Sequence, residues 1–272
     1  MRRVRNLAMT VAVGALAILF AFPMIIMLCS SFMSDAELST VFGEGILRLI
    51  PYEVTAAGYF KLLFASFAFI SSFWNSILIA LVITLVQTSL SFLAAFTLAK
   101  FQFRGKRMLL YLYMIMMMMP FQVTLLPNYI MARWMNLYNT WWALILPGAF
   151  TPFSVFLLYQ FIRKSLPDEV IKATLIETSS PWVMLFRVVL PIVRPGVVSA
   201  AVLAFADAWN MIEQPMILLK DEWKYPLSLV LSNNSGSMSV SFAGAVLYVL
   251  PMLLVYFAVE DELMQGVSKM RM

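Results

Sequence analysis

The chain has 272 residues, 62% of them hydrophobic and only 12% charged, with a formal net charge of +5. That balance is far from a soluble one and points to an integral membrane protein. The chain holds no His and a single Cys, Cys29, which excludes disulfide frameworks, Cys/His zinc centres, His-dependent catalytic triads and haem held through His. Its basic residues sit in short clusters beside apolar runs, a pattern that suits membrane orientation rather than nucleic-acid binding.

Arg2, Arg3 and Arg5 precede a first apolar run over 7–30, about the 20 residues a spanning helix needs. The run is longer than the core of a secretory signal, so a retained first helix over 1–30 is expected. Residues 31–71 mix Asp35, Glu37, Glu44 and Glu53 with Arg48 and Lys61, and Pro51 and Gly58 break the pattern. This segment is expected outside the cytoplasm, followed by a core over 72–272 in a single transmembrane domain.

A second span is expected over 73–99, ending at the basic cluster Lys100, Arg104, Lys106 and Arg107, which the positive-inside rule places in the cytoplasm. A third, over 108–129, contains a run of methionines closed by Pro120. Flexible thioethers serve as packing surface, and the proline is expected to kink the helix near Phe121. A fourth span over 140–162 returns the chain to the cytoplasm. A fifth is expected over 197–219 and a sixth over 242–263, with the polar segment 220–239 between them. The fold class is therefore all-α, with about six transmembrane helices and both termini cytoplasmic.

Between the fourth and fifth spans lies 163–196, a charge-bearing stretch that is not expected to span. Ser165 is expected to cap a helix, with Pro167 in its first turn and Asp168 and Glu169 favourable at the positive end of its dipole. Val170, Ile171, Thr174 and Leu175 fall on one face of that helix. A second start signal, Ser180-Pro181, precedes Trp182, Leu185, Phe186, Val189 and Leu190 at helical spacing, and Pro191 and Pro195 are expected to stop it. From spacing alone this is either a knob that docks a soluble partner or an amphipathic hairpin lying among lipid headgroups.

The residues also carry a resemblance. Leu166-Pro167-Asp168-Glu169, Ala173, Glu177, Ser180, Trp182, Phe186, Leu190-Pro191 and Pro195 resemble the cytoplasmic coupling loop of the permease subunits of binding-protein-dependent ABC importers, in particular the maltose-type second permease of the carbohydrate branch. Asn75-Ser76 opening the second helix, Ala94-Ala95-Phe96, Ala99-Lys100, Phe103, Gly105, Pro120, Pro127, Leu137, Asn139-Thr140 and Pro147 resemble further signatures of that family. Trp209-Asn210, Gln214-Pro215 and Pro226-Leu227 are similar to its fifth helix and outer loop. The chain departs from the family where Lys172-Ala173-Thr174 stands for Glu-Ala-Ala and Glu177-Thr178-Ser179 for Asp-Gly-Ala. It also carries the unexpectedly acidic Glu260-Asp261-Glu262 near its end.

The resemblance implies a subunit without catalytic residues, metal or nucleotide of its own. No GxxxxGK[ST] string occurs, so ATP and Mg belong to two partner ATP-binding subunits. It further implies a second, different permease subunit, an extracytoplasmic substrate-binding protein, and residence in a bacterial or archaeal inner membrane. Asp168, Glu169, Lys172, Ala173, Leu175, Ile176, Glu177, Thr178, Ser179, Ser180 and Trp182 are the expected ATPase contacts. Ionisable groups inside a span are costly and point to function, and amides and aromatic rings suit a sugar. Trp209, Asn210 and Glu213, with Asn75 and Tyr129, are therefore the expected substrate pathway. Polar packing between helices is the plainer account of the same residues. The tip Asn233-Asn234-Ser235-Gly236 is expected to meet the binding protein, or to be a solvated turn. An ion-coupled carrier using Asp207 and Glu213, and an ABC permease for a solute other than sugar, are the alternatives.

Overall fold

Every regular element among the described residues is helical. The computed structural model describes residues 2–46, 48–65, 67–177, 180–233 and 236–271. In chain order the helices are α1 (Arg2–Ser30), α2 (Asp35–Gly43), α3 (Ala57–Phe60, running into a π-helical turn, Lys61–Ala65), α4 (Phe67–Lys100), α5 (Lys106–Met117), α6 (Phe121–Trp134) and α7 (Trp142–Ala149). They continue as α8 (Pro152–Ser165), α9 (Asp168–Glu177), α10 (Pro181–Val183), α11 (Leu190–Trp209), α12 (Glu213–Leu218), α13 (Leu227–Ser232) and α14 (Met238–Arg271). Among the described residues, five stretches are long and apolar enough to cross a membrane, and the bent pair α5 and α6 makes a sixth.

The spans differ from expectation where prolines fall. Pro120 does more than kink the third span: α5 stops at Met117, α6 restarts at Phe121, and their axes differ by 101°. In the fourth span Pro152 bars the helical conformation from Thr151, so α7 and α8 are separate helices. Pro191 and Pro195, expected to end a helix, sit inside one. A π-helical turn, Met184–Val189, joins α10 to α11, and such a turn already shifts the hydrogen-bond register, so Pro191 enters at a first-turn position where its missing N–H costs little.

The fifth span ends early, at Trp209 rather than 219. Had the helix continued, the Met211 carbonyl would have needed an N–H from Pro215, which has none. That carbonyl instead accepts the Ser228 hydroxyl, and α12 begins as a separate short helix. Nor does Asn75-Ser76 open the second helix, because α4 starts two turns earlier, at Phe67.

The chain divides into two compact units, 1–71 with 230–251 and 72–229 with 252–272. In the first, Ser34 caps α2 by accepting the Glu37 N–H at 3.2 Å. Buried Glu37 accepts the Tyr52 N–H at 2.9 Å and lies 3.5 Å from Arg48, while Asp35 accepts the Ser239 N–H at 2.9 Å. Gly58 lets the backbones close, since a Cβ there would stand 2.5 Å from the Ser239 carbonyl oxygen.

The core of the second unit is built from α4, α8 and the π turn with α11, with Phe96, Leu158, Phe161, Leu185, Val189 and Val193 buried together. Lipid tails are as apolar as these side chains, so close packing rather than expulsion from water holds them. Small residues make that contact possible. Ala95 and Ala200 are fully buried, and a Cβ on Gly196 would fall 2.4 Å from the Phe161 ring. Gly266 likewise brings α14 against Ser199 and the Pro195 carbonyl. The acidic end of the last span finds a partner there, with Glu262 2.8 Å from Arg194.

Candidate functional site

Two regions of the second unit hold most of the residues singled out by sequence. The first is the α9 and α10 segment. Ser165 is not its cap: Leu166 donates to the Ile162 carbonyl as the end of α8, and the Ser165 hydroxyl is buried without a hydrogen-bond partner. Pro167 keeps Leu166 extended (φ −116°, ψ 103°), so α9 begins at Asp168.

The inner face of α9 is Val170, Ile171 and Thr174, the last buried with its hydroxyl donating to the Val170 carbonyl at 2.8 Å. Leu175, expected on that face, is exposed. So are Ile176 at 88%, Trp182 and Phe186, the last two rings stacked 5.9 Å apart. Asp168, Glu169, Lys172, Ala173 and Glu177 are exposed beside them and Ser180 is half-buried. Thr178 and Ser179 lie outside the described residues. These exposed apolar side chains sit beside charged ones on a short helix pair.

Lys100 orders the start of this segment. Its Nζ donates to the Leu166 carbonyl and to Asp168 Oδ1, 2.6 Å away. The Asp168 carboxyl is held below its ordinary value of 3.8, foremost by that hydrogen bond. Lys100 figured in the sequence only as part of a signature and a basic cluster; nothing local to it reports a partner 68 residues away.

The second region lies where α11 ends. Trp209 is 1% exposed, stacked on Phe205 at 5.8 Å and edge-on to Phe73 at 6.1 Å, so its ring is filled by protein and offers no platform to a ligand. Asn75 is also committed inward: its Nδ2 donates to the Trp223 and Tyr225 carbonyls at 2.8 and 3.2 Å. The next residue, Ser76, accepts the Leu227 N–H at 2.7 Å. Across the same loop Asn139, in the left-handed region at φ 62°, accepts the Lys220 and Asp221 N–H groups at 2.9 and 3.1 Å. Trp141 Nε1 donates to the Lys224 carbonyl at 3.1 Å. Signatures scattered through the sequence thus converge on the backbone of 218–227 and fix its shape.

Asn210 and Glu213 remain exposed. Asn210 closes α11, its Nδ2 donating to the Ala206 carbonyl at 2.8 Å. Asp207, one turn earlier, is exposed on the same helix, and Glu213 opens α12 with both carboxylate oxygens 3.4 Å from Gln122 Nε2 on α6. Gln122 was not legible as a site residue, because only the break at Pro120 brings α6 back to α12. Tyr129 belongs to a different group, edge-on to Tyr138 at 5.6 Å with the Arg133 guanidinium 4.7 Å from the Tyr138 ring. Asn233 and Gly236 are exposed between α13 and α14, whereas Asn234 and Ser235 lie outside the described residues. No cluster of three or more potential metal ligands occurs among the described residues.

Residues 87–269 match the family described as binding-protein-dependent transport system inner membrane component. The diacetylchitobiose uptake system permease protein of Streptomyces coelicolor is 32% identical over 205 residues, covering 72% of this chain and 68% of that protein. The arabinooligosaccharides transport system permease protein of Halalkalibacterium halodurans is 24% identical over 265 residues, covering 96% of this chain and 94% of that one. In fold the chain is similar to one in the crystal structure of a bacterial ABC transporter involved in the import of the acidic polysaccharide alginate, with a TM-score of 0.81, 20% identity and coverage of 95% and 96%.

Proposed function

Because the chain belongs to the family of inner membrane components of binding-protein-dependent transport systems, we propose that it lines the membrane pathway of an ATP-driven importer of sugars or oligosaccharides, paired with a second, different permease subunit. The observation that carries the ATP-driven part is the exposed apolar edge of α9 and α10, where Leu175, Ile176, Trp182 and Phe186 stand open beside Lys172 and Ala173. Two ATP-binding subunits, which hold ATP and Mg, dock there and at the partner permease's equivalent. Arg163 and Lys164 in the last turn of α8, and the basic residues after α4, support a cytoplasmic position for this end of α4 and α8 by the positive-inside rule, and both termini are proposed to be cytoplasmic as well.

The sugar reading draws on the relatives named above and on the polar group at the end of α11. Asp207, Asn210, Glu213 and Gln122 are exposed where α11 ends and α12 meets α6. Exposed polar groups at the end of a span face a pathway, a partner or water rather than lipid, and carboxylates and amides match the donors and acceptors of sugar hydroxyls. Asn210 and Glu213 are the contacts, while Trp209 and Asn75 support them from behind. The extracytoplasmic substrate-binding protein delivers its cargo at the loop that Asn75, Ser76 and Asn139 hold.

Uptake into vesicles tests the reading. With ATP and loaded binding protein but no ion gradient, transport is expected; uptake that needs only a gradient would refute it. Asn210→Ala should lower uptake with the ATPase still bound, and normal uptake by that variant would remove it from the pathway.

A further inference from the structure

Three helices meet on one ammonium group. Lys100 is the last residue of α4, Leu166 is where α8 stops, and Asp168 is the first residue of α9. The Lys100 side chain is only 7% exposed although Asp168 is 72% exposed. The ammonium therefore reaches from inside the bundle across the Leu166–Pro167 joint. The Leu166 N–H still closes the last turn of α8 on the Ile162 carbonyl, but Leu166 is extended and Pro167 has no N–H with which to carry the helix across the joint. A bare two-residue joint would bend under load and lose whatever displacement α9 received. Lys100 removes that freedom with donors on both sides of the joint, and its place at a helix C-terminus is favoured by the helix dipole.

At its other end α4 holds the outer loop, through Asn75 to Trp223 and Tyr225 and through Ser76 to Leu227. No Pro or Gly lies between Asn75 and Lys100, and this length of α4 is one unbroken helix rising about 38 Å at 1.5 Å per residue. We propose that Lys100 is a positioning residue that locks the docking helix α9 to α4, so that motion of the ATPases is transmitted along α4 to the outer loop as well as through α8 and α11. The proposal rests on the reading that α9 docks an ATPase. It adds a second, more direct route between the nucleotide-driven end of the subunit and the loop at its far end.

The experiment uses the complete transporter, purified with its ATPases in lipid nanodiscs, with Cys29→Ser as background. A bimane fluorophore on Trp74→Cys, at an exposed position beside Asn75, reports the outer end of α4, and Ala173→Cys cross-linked to the ATPase reports docking. ATP with vanadate is the probe. The cross-link should form in both the parent and Lys100→Met, and the fluorescence change on adding ATP with vanadate should fall roughly fivefold or more in Lys100→Met, within the range of ordinary allosteric couplings. Lys100→Arg, which keeps the charge and most of the reach, should restore it. A purely structural lysine would lower yield and melting temperature but leave the nucleotide response of the assembled complexes unchanged, and that outcome with the cross-link intact would overturn the proposal. Failure of the parent to cross-link would instead overturn the docking reading and this inference with it. Should Lys100→Met not assemble, Asp168→Asn, at an exposed carboxylate, removes the ion pair alone and is read by the same two signals.

Discussion

Asn139 grips Asp221 twice, donating from Nδ2 to its carboxylate at 2.8 Å and accepting its backbone N–H on Oδ1 at 3.1 Å. Lys224 completes the arrangement, its Nζ lying 2.8 Å from the same carboxylate oxygen and 2.7 Å from the Asn139 carbonyl. A left-handed Asn after α6 thereby sets the conformation of a loop some 80 residues further along.

Replacing Asn139 separates its two contributions. Asn139→Gly keeps the positive φ but loses the side-chain hydrogen bonds, at a cost of about 1–3 kcal/mol. Asn139→Ala loses them and also forces a Cβ into the left-handed region, adding about 1–2 kcal/mol. Thermal unfolding in detergent should rank the melting temperatures wild type, then Gly, then Ala.

Asp221 makes the order of this loop depend on pH. Its carboxyl is held below the ordinary value of 3.8, first by the hydrogen bond from Lys224 and then by that from Asn139. A lowered folded value means the contribution is complete above 3.8 and is lost as pH falls through the folded value. Protection of 218–225 against hydrogen exchange, corrected for the intrinsic rate at each pH, should therefore hold down to about pH 4 and fall below it. In Asp221→Asn that pH dependence should vanish.

Close approach of α8 and α11 predicts a paired result. Gly196→Ala drives its methyl into the buried Phe161 ring and should destabilise by about 1–3 kcal/mol, the usual cost of overpacking. Phe161→Leu in the same chain makes room and should recover part of the loss, which a double-mutant cycle of melting temperatures measures. Gly14→Ala, with nothing within 4 Å of the new methyl, should leave the melting temperature unchanged or raise it.

The exposed edge of α9 and α10 predicts a loss of assembly without a loss of fold. Trp182→Ala or Ile176→Asp should weaken ATPase binding by about 2 kcal/mol or more, the scale of an interface hot spot. Circular dichroism of the purified subunit should stay as in the wild type. Co-purification of the ATPase from the membrane is the direct readout.

Composition and the spacing of apolar runs sufficed for the all-helical membrane class and its roughly six spans, because hydrophobic length is a local property that lipid thickness selects. Charge placement and paired start signals located the segment around α9 and α10 for the same reason. Prolines were read less well. Pro120 breaks a span that it was expected to bend, while Pro191 and Pro195 sit inside a helix they were expected to end, since a proline's effect depends on where its orphaned carbonyl finds a donor. The Met211 carbonyl found Ser228, 17 residues away in sequence.

By itself, then, the sequence determined the all-helical membrane class and roughly where the long apolar stretches lie. Only the tertiary structure decided the roles of individual polar and aromatic groups: that Trp209 and Asn75 face inward, that Asn210 and Glu213 stay open, that Leu175 is surface, and that Lys100 reaches Asp168. The physical reason is range. Span length and amphipathic period are written within one or two helical turns, whereas a side chain's hydrogen-bond partner is chosen by segments the packing brings together from tens of residues away.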